Sequence, residues 1–315
     1  MNRELASVEP FQGRAFRKSG MPLPASIPRR EFLSALLLSP AALRAQGPAP
    51  STSTPLLRLT RQEQETFLET AKITKLTPLS EGITNSHRAT LSDGLLTHDA
   101  HVQTIDERKD VQTTAAGAYP NFADSYKHNI AAYLLDKLLN IGMIPATVGR
   151  KVQGENASVT WWVDDVLMTE KQRYLRKVNP PDGKAWNRQI YCVRAFDELI
   201  YNFDRNLGNL VITKNWRIWM IDHTRSFLPY PKPKNEKRLI ECDRRLLEAM
   251  RGLTREAAKP LEPHLGVLRV DGLLSRRDRI VEYFEKEIAR RGEEEVLFTI
   301  LPFDTVISLP ESGPA

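Results

Sequence analysis

The chain has 315 residues, 41% of them hydrophobic and 27% charged, enough to bury one large core or two modest lobes. Its formal net charge of +6 sits mostly at the front: residues 1–45 hold seven Arg or Lys against three acids, which leaves +2 for the remainder. The balance therefore argues against a nucleic-acid partner, the lack of any 18-residue apolar run argues against a transmembrane helix, and two cysteines without Cys/His metal spacing argue against zinc.

Residues 1–45 read as an address. Pro28-Arg29-Arg30-Glu31-Phe32-Leu33 runs into a short apolar stretch, 33–43, and a small-residue exit at Leu43-Arg44-Ala45-Gln46. This resembles a twin-arginine export signal and implies a periplasmic or extracellular destination; a basic tail on a cytoplasmic protein is the alternative. Met21, eight residues before Arg29, is a possible true start. Residues 46–60 form a linker rich in Pro, Ser and Thr.

The chain then predicts a short helix over 61–71 and strands over 73–79, 86–91 and 96–105, the last two joined by the tight turn Ser92-Asp93-Gly94. A polar loop, 106–124, precedes a helix over 125–140, where Ile130, Tyr133, Leu134, Leu138 and Ile141 recur at helical spacing before Gly142. Strands at 147–152 and 158–163 follow, then a hinge at 164–167. A long helix, 185–202, carries Ile190, Val193, Phe196, Leu199, Ile200 and Phe203 on one stripe. Helices at 244–253 and 274–291 close the chain, the second with Ser275 three before Asp278 as a capping box and Gly292 as its stop. The fold class is α+β: a small antiparallel sheet lobe with one helix, 61–167, and a larger, mainly helical lobe, 168–315. Cys192 and Cys242 are expected as two core thiols, with a disulfide left open.

The chemistry is concentrated in Tyr201–Phe227, YNFDRNLGNLVITKNWRIWMIDHTRSF. Asp204 and Asn209 are five apart, and Asp222 follows thirteen later. Between the last two lie apolar segments 209–213 and 217–221, split by Lys214-Asn215, the pattern of a β-hairpin with Asn209 and Asp222 at its mouth. This order is the layout of a phosphoryl-transfer site: one carboxylate orients the attacking hydroxyl, while an Asn and a second carboxylate hold Mg²⁺.

DRNLGNLVI followed by MIDHTRSF resembles the kinase-like superfamily, in particular phosphatidylinositol 3/4-kinase-like proteins of type II, and is similar to HipA-type kinases. The resemblance implies ATP and Mg²⁺ as cofactors, a two-lobed fold and a hydroxyl-bearing substrate that is a protein, lipid or small molecule. It implies Asp204 as the catalytic carboxylate, flanked by Arg205 in contact with phosphate or paired with Asp204, and Asn209 and Asp222 as metal ligands. The nucleotide loop falls at 79–86, where Gly82, Thr84 and Ser86 would face phosphate with one glycine instead of three.

The small lobe departs from the family's pattern. Ala100-His101-Val102-Gln103 aligns with V-A-I-K, so Gln103 stands at the phosphate-binding lysine, and Asn129 stands near its partner glutamate. A neutral Gln103–Asn129 pair that can still hydrogen-bond leaves no buried ion unpaired. It removes a large electrostatic contribution to phosphoryl transfer unless Lys72, Lys75 or Lys109 supplies it. The alternative is a non-catalytic pseudokinase, a nucleotide-binding or protein-interaction module. The Trp161-Trp162 pair and the basic cluster Lys171, Arg173, Arg176 and Lys177 are secondary candidates for adenine stacking and for an anionic substrate.

Overall fold

The computed structural model describes residues 59–79, 86–114 and 117–300. The twin-arginine segment, most of the linker and the loop bearing Gly82 and Thr84 lie outside the described residues. Among the described residues no helix is long and apolar enough to cross a membrane.

Helix α1 (Arg61–Thr70) starts on a reciprocal cap: Thr60 Oγ1 accepts from the Glu63 amide, and the Glu63 carboxylate accepts from the Thr60 amide at 2.7 Å. Five strands follow it into one antiparallel sheet: β1 (Lys72–Pro78), β2 (His87–Ser92), β3 (Thr97–Gln103), and, after an excursion, β6 (Thr147–Val152) and β7 (Glu155–Trp161), in the order β1-β2-β3-β7-β6. Side chains alternate between the two faces of a strand. In the β3–β7 register, Ala100, Val102, Val159 and Trp161 share one face, where Phe67 of α1 meets Trp161 edge-on at 5.8 Å. His101, Gln103, Ser158 and Thr160 share the other, which faces helix α2 (Tyr126–Leu138) and the cleft below it.

The excursion is a finding the sequence pattern did not suggest. Residues 106–124, expected as a loop, form a β-hairpin of β4 (Asp106–Thr114) and β5 (Gly117–Ser125) that makes a sheet of its own. Its apolar side chains leave the small lobe altogether: Tyr119 stacks on Phe203 at 4.6 Å and Phe122 meets the same ring edge-on at 5.9 Å.

The expected hinge begins a second small sheet. Strand β8 (Val166–Thr169) pairs with β9 (Leu210–Thr213), which pairs in turn with β10 (Ile218–Met220). Helices α3 (Glu170–Arg176) and α4 (Gly183–Leu199) lie between β8 and β9 in the chain. Beyond β10 come β11 (Cys242–Asp243), α5 (Arg244–Gly252), α6 (Arg255–Ala258), α7 (Glu262–Leu265), α8 (Val267–Arg291), α9 (Glu293–Val296) and β12 (Leu297–Phe298). Phe196, Leu199, Leu247, Met250, Leu273, Ile280 and Phe284 form the fully buried centre of this lobe. Cys192 and Cys242 are both buried free thiols, pushed up in pKa by burial.

Helix α8 begins seven residues before the expected start, so Ser275 and Asp278 lie inside it and cap nothing; Gly292 does end it, with φ 91°. Gly272 permits the extra turns. A Cβ there would fall 2.8 Å from the Pro229 carbonyl carbon, a contact only glycine avoids. One turn on, the fully buried Arg276 donates to the carbonyls of Leu199, Leu228 and Tyr230, joining the end of α4 to the segment after β10.

Candidate functional site

A cleft of about 730 Å³ separates the five-stranded sheet from the helical lobe. Its floor is built from the loop after α4. Asp197, fully buried on α4, accepts from Asn202 Nδ2 at 3.1 Å and from the Arg205 guanidinium at 3.1–3.2 Å. Asn202 Oδ1 then accepts from the Asp204 amide at 3.1 Å, and Asn206 Oδ1 from the Gly208 amide at 2.8 Å. These short-range bonds shape a loop that has no regular ladder to hold it.

Arg205 is part of this scaffold. Its guanidinium is nearly buried against Asp197 and also donates to the carbonyls of Asn209 and Ile221 at 3.2 and 2.7 Å. It therefore ties α4, the start of β9 and the end of β10 together, and its partner is Asp197 where Asp204 or phosphate was expected.

Asp204, Asn209 and Asp222 all line the cleft. The Ile221 amide donates to the Asn209 carbonyl at 3.0 Å, which places Asp222 beside Asn209 at the mouth of the β9–β10 hairpin. Asp222 has φ 54°, a left-handed conformation that Asp tolerates better than most residues. Its Oδ1 accepts from Thr224 Oγ1 at 3.1 Å. The Asp204 carboxyl is raised above its ordinary value by burial; Arg225 acts against this and Asp222 reinforces it. Arg225 Nη1 donates to Asp204 Oδ2 at 3.2 Å, and Arg225 Nε donates to Asp124 Oδ2 at 2.6 Å.

A carboxylate and an amide oxygen at one hairpin mouth are the hard donors Mg²⁺ prefers, with further positions left for phosphate and water. The residues present thus fit a magnesium nucleotide at Asn209 and Asp222. Ile144, Val211, Met220 and Ile221 give the cleft an apolar portion, and Trp161, at the end of β7, and Trp162 after it also line it. Trp161 is held by its indole N–H to Asp164 at 3.2 Å and stacks on His98, while Trp162 carries Arg88 over its ring.

Among the described residues of the roof, amide side chains stand where the lysine and its partner glutamate were expected. Asn129 donates to Ser158 Oγ at 3.3 Å and accepts from the His223 amide at 2.8 Å, so it is engaged by the sheet and by the floor rather than by Gln103. Gln103 Oε1 accepts from the amides of Thr104 and Ile105 at 2.9 and 3.0 Å. His101 also faces the cleft; burial lowers its pKa, with Asp222 opposing and His87 adding to the effect. Ser86 is buried at the cleft edge.

Lys72, Lys75 and Lys109 do not line the cleft; among the described residues its basic lining is Lys171, His101, His223 and Arg225. His223 is buried, with its imidazole pKa lowered well below the ordinary value by burial and by Arg205. In the basic cluster, Arg173 is paired with Glu170 at 2.5 Å.

Sequence reasoning missed Asp197, Asn202, Asp124, Ser158 and His128. Asp197 left a signal: it stands four after Val193 on the apolar stripe of α4, where a lone acid needs a buried partner.

No protein-family model matches the chain, and no curated protein matches it in sequence. Solved structures do. The Golgi casein kinase superposes with a TM-score of 0.53 at 14% identity, covering 75% of this chain and 77% of that one. The proinflammatory kinase CtkA of Helicobacter pylori superposes at 0.46 with 10% identity, covering 72% of this chain and 98% of that one. The protein has a kinase-like fold of the α+β class, a small antiparallel sheet lobe set on a larger, mainly helical lobe that carries the β9–β10 hairpin.

Proposed function

We propose that the chain is an ATP- and Mg²⁺-dependent phosphotransferase that acts on a hydroxyl group. The observation that carries this reading is the meeting of Asp204, Asn209 and Asp222 along one floor of a single cleft between the two lobes. Asp204 orients the attacking hydroxyl and accepts its proton; its raised pKa brings it nearer the working range of a general base. Asn209 and Asp222 hold the metal, which neutralises charge on the phosphates when bound. Arg205 keeps both halves of this floor in register. The motif's likeness to type II phosphatidylinositol kinases and to HipA-type kinases leaves lipid and protein hydroxyls as the substrate classes, and the resemblance of the Arg29-Arg30 segment to a twin-arginine signal supports a destination outside the cytoplasm.

A second reading, a nucleotide-binding pseudokinase, is favoured by one observation. Gln103 Oε1 and Asn129 Oδ1 accept from backbone amides, and among the described residues lining the cleft a neutral amide stands at each place where the resemblance puts the lysine and the glutamate. Thermal denaturation with and without Mg²⁺ and ATP tests both. At 100 times the dissociation constant, bound nucleotide adds about 2.7 kcal/mol, and Asp222→Asn removes that gain. Turnover then separates enzyme from binder, and an unmoved melting curve at millimolar Mg²⁺·ATP defeats both.

A further inference from the structure

We infer that Asp124, on the β4–β5 hairpin, is a positioning residue that holds Arg225 against Asp204, so that the hairpin's seat on the helical lobe governs the carboxylate facing the substrate. The inference rests on the phosphotransferase reading for the role of Asp204; the linkage itself does not need turnover.

Three observations carry it. First, the Arg225 guanidinium is divided. Nε donates to Asp124 Oδ2 at 2.6 Å and Nη1 to Asp204 Oδ2 at 3.2 Å, which leaves Asp204 Oδ1 unclaimed by the arginine. Charge-assisted bonds of this kind fix a planar fork in direction as well as distance.

Second, Asp124 is only 2% exposed, and its Oδ1 has no hydrogen-bond partner. A carboxylate buried only to close the hairpin would be better served by two donors or by an apolar residue. Here a single oxygen is used, and on Arg225 alone.

Third, the hairpin grips the backbone on both sides of the pair. Tyr119 and Phe122 pack on Phe203, the residue before Asp204. The Ser125 amide donates to the Thr224 carbonyl at 3.0 Å, next to Arg225, and His128 Nδ1 of α2, which follows the hairpin, donates to the same carbonyl at 2.8 Å. Midway along β5 the Pro120 carbonyl accepts from Tyr230 Oη at 2.9 Å, and the Asn121 carbonyl from Arg269 Nη2 at 2.9 Å. A hairpin inserted between β3 and α2 of one lobe thus holds the catalytic loop of the other. Undocking it would release Arg225 and shift the Asp204 carboxylate together.

The sign of one titration decides the matter. The charged groups facing Asp204 are Arg225, Asp222 and Asp124. Deleting the Asp124 charge while Arg225 stayed in place would lower the Asp204 midpoint, because an anion is lost. Releasing Arg225 raises it. With ¹³C-carboxyl aspartate and the resonance assigned through Asp204→Asn, we expect Arg225→Met to raise the midpoint by about one pH unit. Asp124→Asn raises it by less, because an anion leaves with the clamp, and the double variant rises no further than Arg225→Met alone. Tyr119→Ala leaves all three charges in place and loosens only the seat; the midpoint rises there too, and this variant serves if Asp124→Asn does not fold. A fall or an unchanged midpoint in either hairpin variant overturns the proposal. Failure of Mg²⁺·ATP to raise the wild-type melting temperature would instead break the phosphotransferase reading, leaving the linkage to be judged on the resonance.

Discussion

The two walls of the cleft meet the same problem, polar groups out of water, in opposite ways. The floor keeps full charges and pairs them: Arg205 with Asp197, Arg225 with Asp124 and Asp204. The roof, among the described residues that line the cleft, uses amides: Gln103 Oε1 accepts from two backbone amides, and Asn129 is bonded to Ser158 and to the His223 amide. The small lobe's own ion pair, buried Asp136 with Arg61, does not line the cleft. A neutral network leaves no stranded ion when the lobes separate, whereas each charge on the floor depends on its partner staying put. On the proposed function the floor, whose charges depend on one another, is the wall that organises the chemistry.

Four substitutions sharpen or break that contrast, in descending order of effect. Asp204→Asn leaves the Mg²⁺·ATP melting shift in place and cuts turnover by about 10²–10⁴-fold; equal turnover would remove Asp204 from the chemistry. Arg205→Met strands the Asp197 carboxylate and costs about 3–5 kcal/mol in urea unfolding. A loss in turnover without a loss in stability would return Arg205 to a direct role. Gln103→Lys puts an ammonium beneath the sheet with Asn129 as its neighbour and costs about 2–3 kcal/mol. Adding Asn129→Glu recovers part of this, and no recovery would mean that the two positions do not face each other as the family's pair does.

The fourth concerns the stitch between the walls. His128 donates to the Thr224 carbonyl, and burial lowers its pKa from 6.5 to about 3. Its folded form binds fewer protons than its unfolded form across that window. Its contribution to stability is thus complete above pH 6.5 and is lost as pH falls towards 3, by about 1.4 kcal/mol per pH unit. Urea midpoints at pH 7 and pH 5 should diverge less for His128→Gln than for the native chain; an equal divergence would assign the acid sensitivity elsewhere, with His223 next in line.

Much of this architecture was legible in the residues. The alternation of Ala89 and Leu91, and of Ala100 and Val102, marks strands buried on one face, and the stripe on α4 delivers Asp204 at its exit. The β4–β5 hairpin was not legible, because β4, DERKDVQTT, holds one apolar residue in nine, and Tyr119 and Phe122 of β5 find their partner Phe203 far along the chain instead of in a sheet. Nor was the start of α8, since Gly272 reads locally as a helix breaker and only the nearness of Pro229 explains it. Within the site, Asp204, Asn209 and Asp222, which the motif singled out, line one cleft, but Arg205 was misjudged. The acid on the stripe of α4 was visible in the residues, whereas its pairing with Arg205 eight residues on follows only from the fold of the loop between them.

Gly272 also sets how drift can reach the cleft from a distance. A methyl group there would lever α8 away from Pro229, and Arg276, one turn on, would lose its hold on three carbonyls at once. Two of those carbonyls belong to the segment that follows Asp222, and the third ends the helix that presents Asp204. A census of tolerated substitutions should therefore find buried Gly272, on a helix remote in sequence, as restrictive as the loop that carries Asp204.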